Sequence, residues 1–267
     1  MGSDQKKTVI TRAHSNTGAR RIFLLKGGTC YSNPHMQKNI LIIGQPKSGK
    51  STLLDKVISD IPKKVGFITK EIRANGQRTG FEIQTHLGNK AMLASVDFKT
   101  PHQVSKYFVS VENLDLVIPE ISRFTDKDVL YLDEIGQMEL FSEKFKELVL
   151  KFLDSQNTFL ATISQVYEND FTKAIKNRKD IISVELSEEN REAKEKFLGL
   201  LVKKIERARG YISEPDRIIR KNSGAEIRSE HGKRNLIRLN GGWECNCDFF
   251  KINKICSHSI AAAEVIR

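Results

Sequence analysis

Asn39-Ile-Leu-Ile-Ile43, followed directly by Gly44-Gln-Pro-Lys-Ser-Gly-Lys-Ser51, is the stretch of the chain that decides its fold. A short, continuous apolar run that ends at a glycine is typical of a strand buried on both faces, as in a parallel sheet. A helix is predicted from Lys50 to a stop at Pro62, because apolar residues recur there at helical spacing. A strand, a glycine-containing turn and a helix in this order indicate the beginning of an α/β sheet.

The chain after this stretch continues to alternate strands with helices. Strands are predicted at Val129–Leu132, Thr158–Ile163 and Ile181–Leu186. A long helix is predicted from a cap at Ser187 through Arg209, with Gly210 as its stop. The expected fold of residues 36–209 is therefore an α/β domain with a mostly parallel sheet and flanking helices.

The turn after the first strand satisfies the pattern G-x-x-x-x-G-K-[ST], which is the pattern of a phosphate-binding loop. Its glycines let backbone N–H groups approach phosphate oxygens closely. Lys50 would place a positive charge at the β- and γ-phosphates, and Ser51 would offer a hydroxyl to Mg²⁺. The predicted nucleotide-binding residues are Gly44, Gln45, Pro46, Lys47, Ser48, Gly49, Lys50, Ser51 and Thr52.

Two acidic residues follow the predicted strand Val129–Leu132. Asp133 stands at the end of this strand, where it suits a Mg²⁺ contact and completes the predicted nucleotide and metal site with Ser51. Glu134 is placed to polarise an attacking water, which makes it a candidate catalytic residue. The alternative is that Glu134 merely caps the next turn.

A catalytic arginine is expected to meet the charge that develops on the γ-phosphate. Arg73 and Arg78 flank Asn75-Gly76, a turn pair that predicts a hairpin between Val65–Ala74 and Gln77–Gln84. Arg123 precedes the acidic strand. We assign Arg73 to the catalytic set with Lys50 and Glu134; for each arginine alone, an ordinary surface position is the alternative.

Residues 36–202 resemble the nucleoside-triphosphatase family typified by thermophilic enzymes that hydrolyse several nucleoside triphosphates. The resemblance is carried by the phosphate loop, Gly66–Arg73, Arg78–Phe81, Leu132–Ser142, Ala161–Ile163 and Glu185–Arg191. The block Asp-Glu-Ile-Gly-x-Met-Glu-Leu is its most specific part. The resemblance implies a phosphohydrolase with broad base preference on a RecA/AAA-like sheet. Lys70 departs from the family pattern, because an acid is expected at that position.

Three of the four cysteines lie close together near the C-terminus. Cys245-x-Cys247 precedes Cys256-x-His258, and three thiolates with one imidazole suit tetrahedral zinc. A site with four protein ligands leaves no open position, so the predicted Zn²⁺ is structural. Unligated cysteines beside a surface histidine are the alternative.

The last fifty residues or so resemble the SWIM zinc-finger family, whose pattern is C-x-C-x(n)-C-x-H. Trp243–Phe250 and Ile255–Ile260 carry this resemblance. It implies a small zinc-bound β-hairpin and helix module that binds DNA or protein. We expect residues 210–267 to form a linker and this module.

The net charge of +11 is concentrated at the two ends of the chain. Residues 1–38 and 203–267 each carry +6, whereas residues 39–202 carry −1. The C-terminal charge favours a nucleic-acid partner modestly, and a solvated basic surface is the alternative. Residues 1–35 are expected to be a basic, flexible extension. No apolar run approaches the length of a bilayer span, and we expect a cytoplasmic protein without a membrane partner.

The leading interpretation is a Mg²⁺-dependent hydrolase that converts nucleoside triphosphates and water into diphosphates and phosphate. Its zinc module would bind nucleic acid or protein. One alternative keeps the nucleotide site but transfers the phosphoryl group to a nucleotide or nucleic acid, as a kinase does. Another is an adaptor gated by nucleoside triphosphate with little turnover.

Overall fold

The computed structural model describes residues 36–239 and 242–266 of the chain. The expected extension over residues 1–35 lies outside these residues. The first strand, β1 (Asn39–Gly44), and the first helix, α1 (Lys50–Ser59), confirm the strand, turn and helix predicted from the deciding stretch.

A nine-stranded sheet forms the body of the described chain. After β1 its strands are β2 (Lys64–Ala74), β3 (Gln77–Thr85), β4 (Lys90–Ser95), β5 (His102–Val104), β6 (Tyr107–Val109), β7 (Val129–Ile135), β8 (Phe159–Ser164) and β9 (Ile181–Leu186). Their spatial order is β5-β6-β4-β3-β2-β7-β8-β1-β9. The pairs from β2 to β9 are parallel, and the pairs from β2 to β5 are antiparallel. The predicted mostly parallel α/β fold is confirmed.

Helices cover both faces of the parallel strands. They are α1, α2 (Val111–Ile121), α3 (Glu143–Asp154), α4 (Asp170–Lys176) and α5 (Arg191–Ser213). Successive residues of β1 point to opposite faces, so Ile40 and Ile42 pack in the apolar cluster of α1 and α5, whereas Leu41 packs in the cluster of α2 and α3. All three side chains are fully buried, which explains the continuous apolar run in the sequence.

The strands β2 and β3 form the hairpin that the Asn-Gly pair predicts. Asn75 has φ 50° and Gly76 has φ 75°, so both central residues take the positive φ values of a type I′ turn. The hairpin carries Arg73 and Arg78 toward the carboxyl ends of the parallel strands.

Helix α5 differs from its predicted limits at both ends. It begins at Arg191 with Asn190 at the cap position and ends at Ser213, so the predicted cap at Ser187 and the predicted stop at Gly210 are wrong. A glycine inside a helix costs about 1 kcal/mol relative to alanine. Tyr211 offsets this cost because its side chain, only 3% exposed, packs in the core one residue beyond the predicted stop.

The C-terminal module consists of a four-stranded antiparallel sheet and two helices. Its elements are β10 (Ile218–Lys221), β11 (Gly224–Ser229), β12 (Gly232–Leu239), β13 (Gly242–Cys245), α6 (Asp248–Asn253) and α7 (Ser257–Val265). Helix α7 packs along α5, and one apolar cluster extends from β1 and α1 through α5 into the module. The module is therefore joined to the body through a shared core.

None of the helices in residues 36–239 and 242–266 has the combination of length and apolar character that a bilayer crossing needs.

Candidate functional site

The phosphate loop connects β1 to α1 and needs glycine at two positions. A Cβ on Gly44 would lie 2.7 Å from Oγ of Ser48 and 2.8 Å from the carbonyl oxygen of Leu186. Gly49 has φ 91° and precedes the first residue of α1, and a Cβ there would lie 2.8 Å from the guanidinium carbon of Arg191. A larger residue at Gly44 would therefore collide with backbone, and one at Gly49 would be strained by the positive φ and would displace the Arg191 guanidinium.

Lys50 lies on the concave side of the loop. Its Nζ donates hydrogen bonds of 3.2 Å to the carbonyl oxygens of Gly44 and Gln45, and the residue is only 6% exposed. These contacts hold a positive charge over the loop, which is where phosphate oxygens would bind according to the motif.

Asp133 joins three elements at the end of β7. Its Oδ1 accepts hydrogen bonds from Oγ of Ser51 at 2.9 Å and from Oγ1 of Thr162 at 2.6 Å, and its carbonyl oxygen accepts one from Thr69. The side chain is nearly completely buried. Burial raises the pKa of this carboxyl, and the hydrogen bonds from Thr162 and Ser51 oppose the rise. An oxygen pair from Ser51 and Asp133 is the donor set that Mg²⁺ prefers, so these residues fit the ion.

Glu134 and Glu139 bring two further carboxyl groups to the same place. A Cβ on Gly136 would lie 2.9 Å from Oε2 of Glu139 and 3.3 Å from Cγ of Glu134, so this glycine leaves room for both side chains. Burial raises the pKa of Glu134. Burial, with the nearby Glu134 charge as a smaller cause, raises the pKa of Glu139 to about 8.

Reasoning from the sequence assigned no role to Glu139. The signal that points to it is an acid between apolar residues, Met138 and Leu140, in a short 3₁₀ turn over Glu139–Phe141. Periodicity alone does not reveal that this turn folds back beneath the acidic end of β7.

The three candidate arginines lie in different surroundings. Arg78 donates from Nε to the hydroxyl of Tyr107 at 2.9 Å and from Nη1 to Glu71 at 2.5 Å. Arg73 binds the other carboxylate oxygen of Glu71, at 2.6 Å from Nη2. Arg123 follows α2 and is exposed, near the end of β7 that is opposite to Asp133.

A cavity of about 720 Å³ collects most of the predicted site residues. Its lining includes Lys47, Gly49, Lys50, Ser51, Thr52, Asp133, Glu134 and, from the hairpin, Arg78. Arg73 lines an adjoining cavity instead, and Arg123 lines neither. This volume is within the usual range for small-molecule sites, about 300–1,000 Å³. The loop, the carboxylates and one arginine therefore face a common space.

Arg191 is a second residue that the sequence reasoning left without a role. It begins α5, and its Nη2 donates to the carbonyl oxygen of Ser48 at 2.9 Å. Its Nε is buried and has no hydrogen-bond partner among the described residues. Arg191 supports the phosphate loop through a contact between residues 143 positions apart, which no local pattern reveals.

The four predicted zinc ligands converge in the C-terminal module. One ligand atom from each of Cys245, Cys247, Cys256 and His258 can be chosen so that all lie within 4.8 Å of one another, and all four residues are buried. Nδ1 of His258 lies 3.6 Å from Sγ of Cys245 and 3.7 Å from Sγ of Cys256. Burial raises the pKa of the Cys247 thiol. A buried set of three sulfurs and one imidazole matches the chemistry of tetrahedral zinc.

Comparison with known proteins identifies relatives of the body of the chain. A model of the NTPase family matches residues 39–198. A protein named nucleoside-triphosphatase THEP1 from Thermotoga sp. (strain RQ2) is 42% identical over 154 residues, which are 57% of this chain and 88% of that protein. The protein of the same name from Aquifex aeolicus is 37% identical over 174 residues, covering 61% of this chain and 98% of that one.

Two solved structures are similar to this fold. The crystal structure of THEP1 from Aquifex aeolicus has a TM-score of 0.57 at 32% identity and covers 61% of this chain and 98% of its own. The solution structure of a human cancer-related nucleoside triphosphatase has a TM-score of 0.53 at 29% identity, covering 62% of this chain and 96% of its own. The family match ends at residue 198, and the SWIM resemblance of the C-terminal module stays a prediction.

Proposed function

The chain belongs to the NTPase family and is a nucleoside-triphosphatase, and from this premise we propose that it hydrolyses nucleoside triphosphates with Mg²⁺ at the phosphate loop. The observation that carries the proposal is the 2.9 Å hydrogen bond from Ser51 to Asp133. It joins the loop to the acidic end of β7, with Glu134 as the next residue in the same cavity.

The phosphate loop and its lysine would hold the triphosphate. Backbone N–H groups at the start of α1 and the Lys50 ammonium would face the phosphates, and Ser51 with Asp133 would hold Mg²⁺. When bound, Mg²⁺ neutralises negative charge on the β- and γ-phosphate oxygens. Arg191 keeps the loop in place through its contact with Ser48.

Glu134 would orient the water that attacks the γ-phosphorus. Its carboxylate accepts a hydrogen bond from this water while the bond between the γ-phosphorus and the bridging oxygen breaks. The products are a nucleoside diphosphate and phosphate. Glu139 is buried beside Glu134 and also lines the cavity.

An arginine of the hairpin would stabilise the charge that develops on the γ-phosphate. Arg73 is our assignment from the sequence, and Arg78 competes with it because Arg78 lines the nucleotide cavity. Replacing each with alanine in turn separates them, because removal of the acting arginine should lower kcat far more than removal of the other.

The base preference is proposed to be broad. Outside the loop, the cavity wall contains several apolar side chains, among them Ile68, Phe81 and Met138. Apolar contacts discriminate weakly between ligands of similar size, whereas hydrogen-bonding groups discriminate strongly.

The C-terminal cluster is proposed to hold one structural Zn²⁺ through Cys245, Cys247, Cys256 and His258. We propose residues 36–209 as the hydrolase domain and 210–267 as a linker with a SWIM-type module that binds nucleic acid or protein. The +6 charge of residues 203–267 supports a polyanionic partner. We place the protein in the cytoplasm, where the thiols would remain reduced.

The test of this function is a Glu134→Gln variant of the full chain. We expect phosphate release from ATP or GTP to fall by about 10²–10⁴-fold while nucleotide binding is retained, because only the orientation of water is lost. Glu112→Gln is the control, since Glu112 is exposed on α2 and lines neither cavity.

The same assay with γ-labelled ATP distinguishes hydrolysis from phosphoryl transfer. Label that leaves only as free phosphate supports the hydrolase. Label that appears on added nucleoside, RNA or DNA supports the kinase alternative. Unchanged phosphate release by the Glu134→Gln variant would contradict the proposed role of this residue.

A further inference from the structure

A second cavity, which we call the hairpin cavity, adjoins the nucleotide cavity. The function proposed above assigns it no ligand of its own, although Arg73 and Arg78, the two candidate catalytic arginines, lie in its wall. Its volume is about 430 Å³, and its walls include Lys47, Arg73, Arg78, Lys106, Glu71 and Tyr107. Lys47, Glu71 and Arg78 line both cavities. A ligand in the hairpin cavity would therefore lie next to a nucleotide bound at the phosphate loop.

The lining of the hairpin cavity has an excess of positive charge. Four cationic side chains face a single carboxylate, that of Glu71. Arg73 and Arg78 share this carboxylate, at 2.6 Å and 2.5 Å. Among the described residues, no carboxylate lies within 4.0 Å of the ammonium group of Lys47 or of Lys106. An anion of charge −2 would complement these groups.

The guanidinium of Arg78 is held in a fixed orientation before any ligand binds. It donates to the hydroxyl of Tyr107 and lies 5.0 Å from the centroid of the Phe81 ring and 5.5 Å from that of Tyr107. The ammonium of Lys106 lies 5.5 Å from the same Tyr107 ring. A pre-oriented guanidinium favours the bidentate recognition of phosphate, because little side-chain entropy is lost on binding.

The phosphate loop supplies the remaining wall. Lys47 takes a left-handed conformation, φ 68°, and is exposed between the two cavities. Cations from the loop, from the hairpin and from the turn between β5 and β6 therefore surround one space.

We propose that the hairpin cavity binds the phosphate group of a phosphomonoester, at the same time as a nucleoside triphosphate occupies the phosphate loop. The proposal rests on the proposed function only for the location of that nucleotide. A terminal phosphate could also come from the nucleotide itself, with its γ-phosphate reaching across Lys47. The nucleotide cavity is by itself large enough for one nucleotide, which favours a separate ligand.

The experiment is calorimetric titration of the full chain with ribose 5-phosphate, and separately with inorganic phosphate, at low salt. The chain is first saturated with Mg²⁺ and a non-hydrolysable ATP analogue. We expect one further binding event that weakens as ionic strength rises. If the saturated chain binds neither ribose 5-phosphate nor inorganic phosphate, the hairpin cavity holds no separate phosphate group and the proposal is wrong.

Variants at Lys106 locate the binding event. Lys106→Ala should weaken ribose 5-phosphate binding roughly tenfold, which is about 1.4 kcal/mol, and Lys106→Glu should weaken it further. Lys90→Ala is the matched control, because Lys90 is an exposed lysine of the neighbouring strand that pairs with Glu82 outside the cavity. Binding that is equally strong in all three variants, or no binding at millimolar ligand, would overturn the proposal.

The binding assay is independent of turnover. Lys106→Ala should leave phosphate release from ATP alone within about twofold of the parent chain, since Lys106 does not line the nucleotide cavity. A chain that binds ribose 5-phosphate but does not hydrolyse ATP would contradict the proposed function while leaving the hairpin cavity assignment intact.

Discussion

The phosphate-binding body and the C-terminal module are built on different principles. In the body, the residues that face the nucleotide cavity come from the ends of parallel strands and from the antiparallel hairpin region, and a large apolar core on both faces of the sheet positions them. In the module, a small antiparallel sheet and two short helices surround four potential metal ligands. The family match covers the first region and ends before the second.

This difference shows which interactions fix the positions of the functional residues in each region. Backbone geometry sets the phosphate loop, through the conformation of Gly49 and the close packing at Gly44. Side-chain chemistry sets the module, because four ligand atoms gather within 4.8 Å. The body should therefore keep its shape without a ligand, whereas the module should depend on its metal.

The largest effect on catalysis is expected at Lys50. Replacing this residue tests the phosphate-binding body alone. Lys50→Ala removes the charge at the β- and γ-phosphates, so kcat for phosphate release should fall by about 10²–10³-fold, with weaker nucleotide binding. Steady-state phosphate release and calorimetry measure the two effects. Unchanged binding and turnover would remove the basis of the proposed site, and intact zinc content would show that the module is unaffected.

The next effect tests whether the module depends on its metal. Cys245→Ser should reduce zinc content from about one equivalent per chain to near zero, and should lower the melting temperature by at least about 5 °C. Cys30→Ser is the matched control, because Cys30 lies outside the Cys-x-Cys and Cys-x-His pairs. Elemental analysis and scanning calorimetry provide the readouts. A parent chain without zinc would show that the module folds by apolar packing alone.

A smaller effect, on the pH dependence of stability, is expected for Glu139 of the phosphate-binding body. Glu139 has its pKa raised to about 8 by burial, so the folded chain holds its proton between about pH 4.5 and 8, whereas the unfolded chain has released it. The folded state therefore loses stability as pH rises through this interval, by at most about 1.4 kcal/mol per pH unit.

Glu139→Gln should remove that slope. Chemical denaturation without nucleotide, at several pH values, measures it, and the variant should gain relative to the parent as pH rises toward 8. Glu143→Gln serves as the control, since Glu143 is largely exposed. A parallel pH dependence in the parent chain and the Glu139→Gln variant would mean that Glu139 is ionised in the folded state.

The smallest effect is expected at Arg123. Arg123→Ala should change phosphate release by no more than about twofold, because this arginine lies near the opposite end of β7 from Asp133 and lines neither cavity. Arg73→Ala and Arg78→Ala are assayed beside it, and the variant that removes the acting arginine should lower kcat by at least about tenfold. A large effect at Arg123 would show that the chain works in an arrangement other than the one described.

The sequence predicts most of the fold where local patterns are strong. The apolar runs of β1, β7 and β8 and the Asn-Gly turn of the hairpin each specify their own element, and the structure confirms them. The limits of α5 were missed because Gly210 carries a local stop signal. Burial of Tyr211 against the module outweighs that signal.

The sequence also predicts most residues of the candidate site, but not all of them. Lys50, Ser51, Asp133 and Glu134 line one cavity, as their motifs led us to expect, although their roles stay predictions. Glu139 and Arg191 were not singled out, since their importance arises from a folded-back turn and from a contact between distant parts of the chain. Such positions become visible only when the elements are assembled.

The long helix α5 is apolar on more than one side, and this limits how the chain can be divided. Phe197 stacks on Phe249, and Tyr211 stacks on His258, so the helix presents aromatic rings to the module as well as aliphatic side chains to the sheet. The module therefore depends on α5 for part of its packing. A chain cut after the helix would expose the rings of Phe197 and Tyr211 to water.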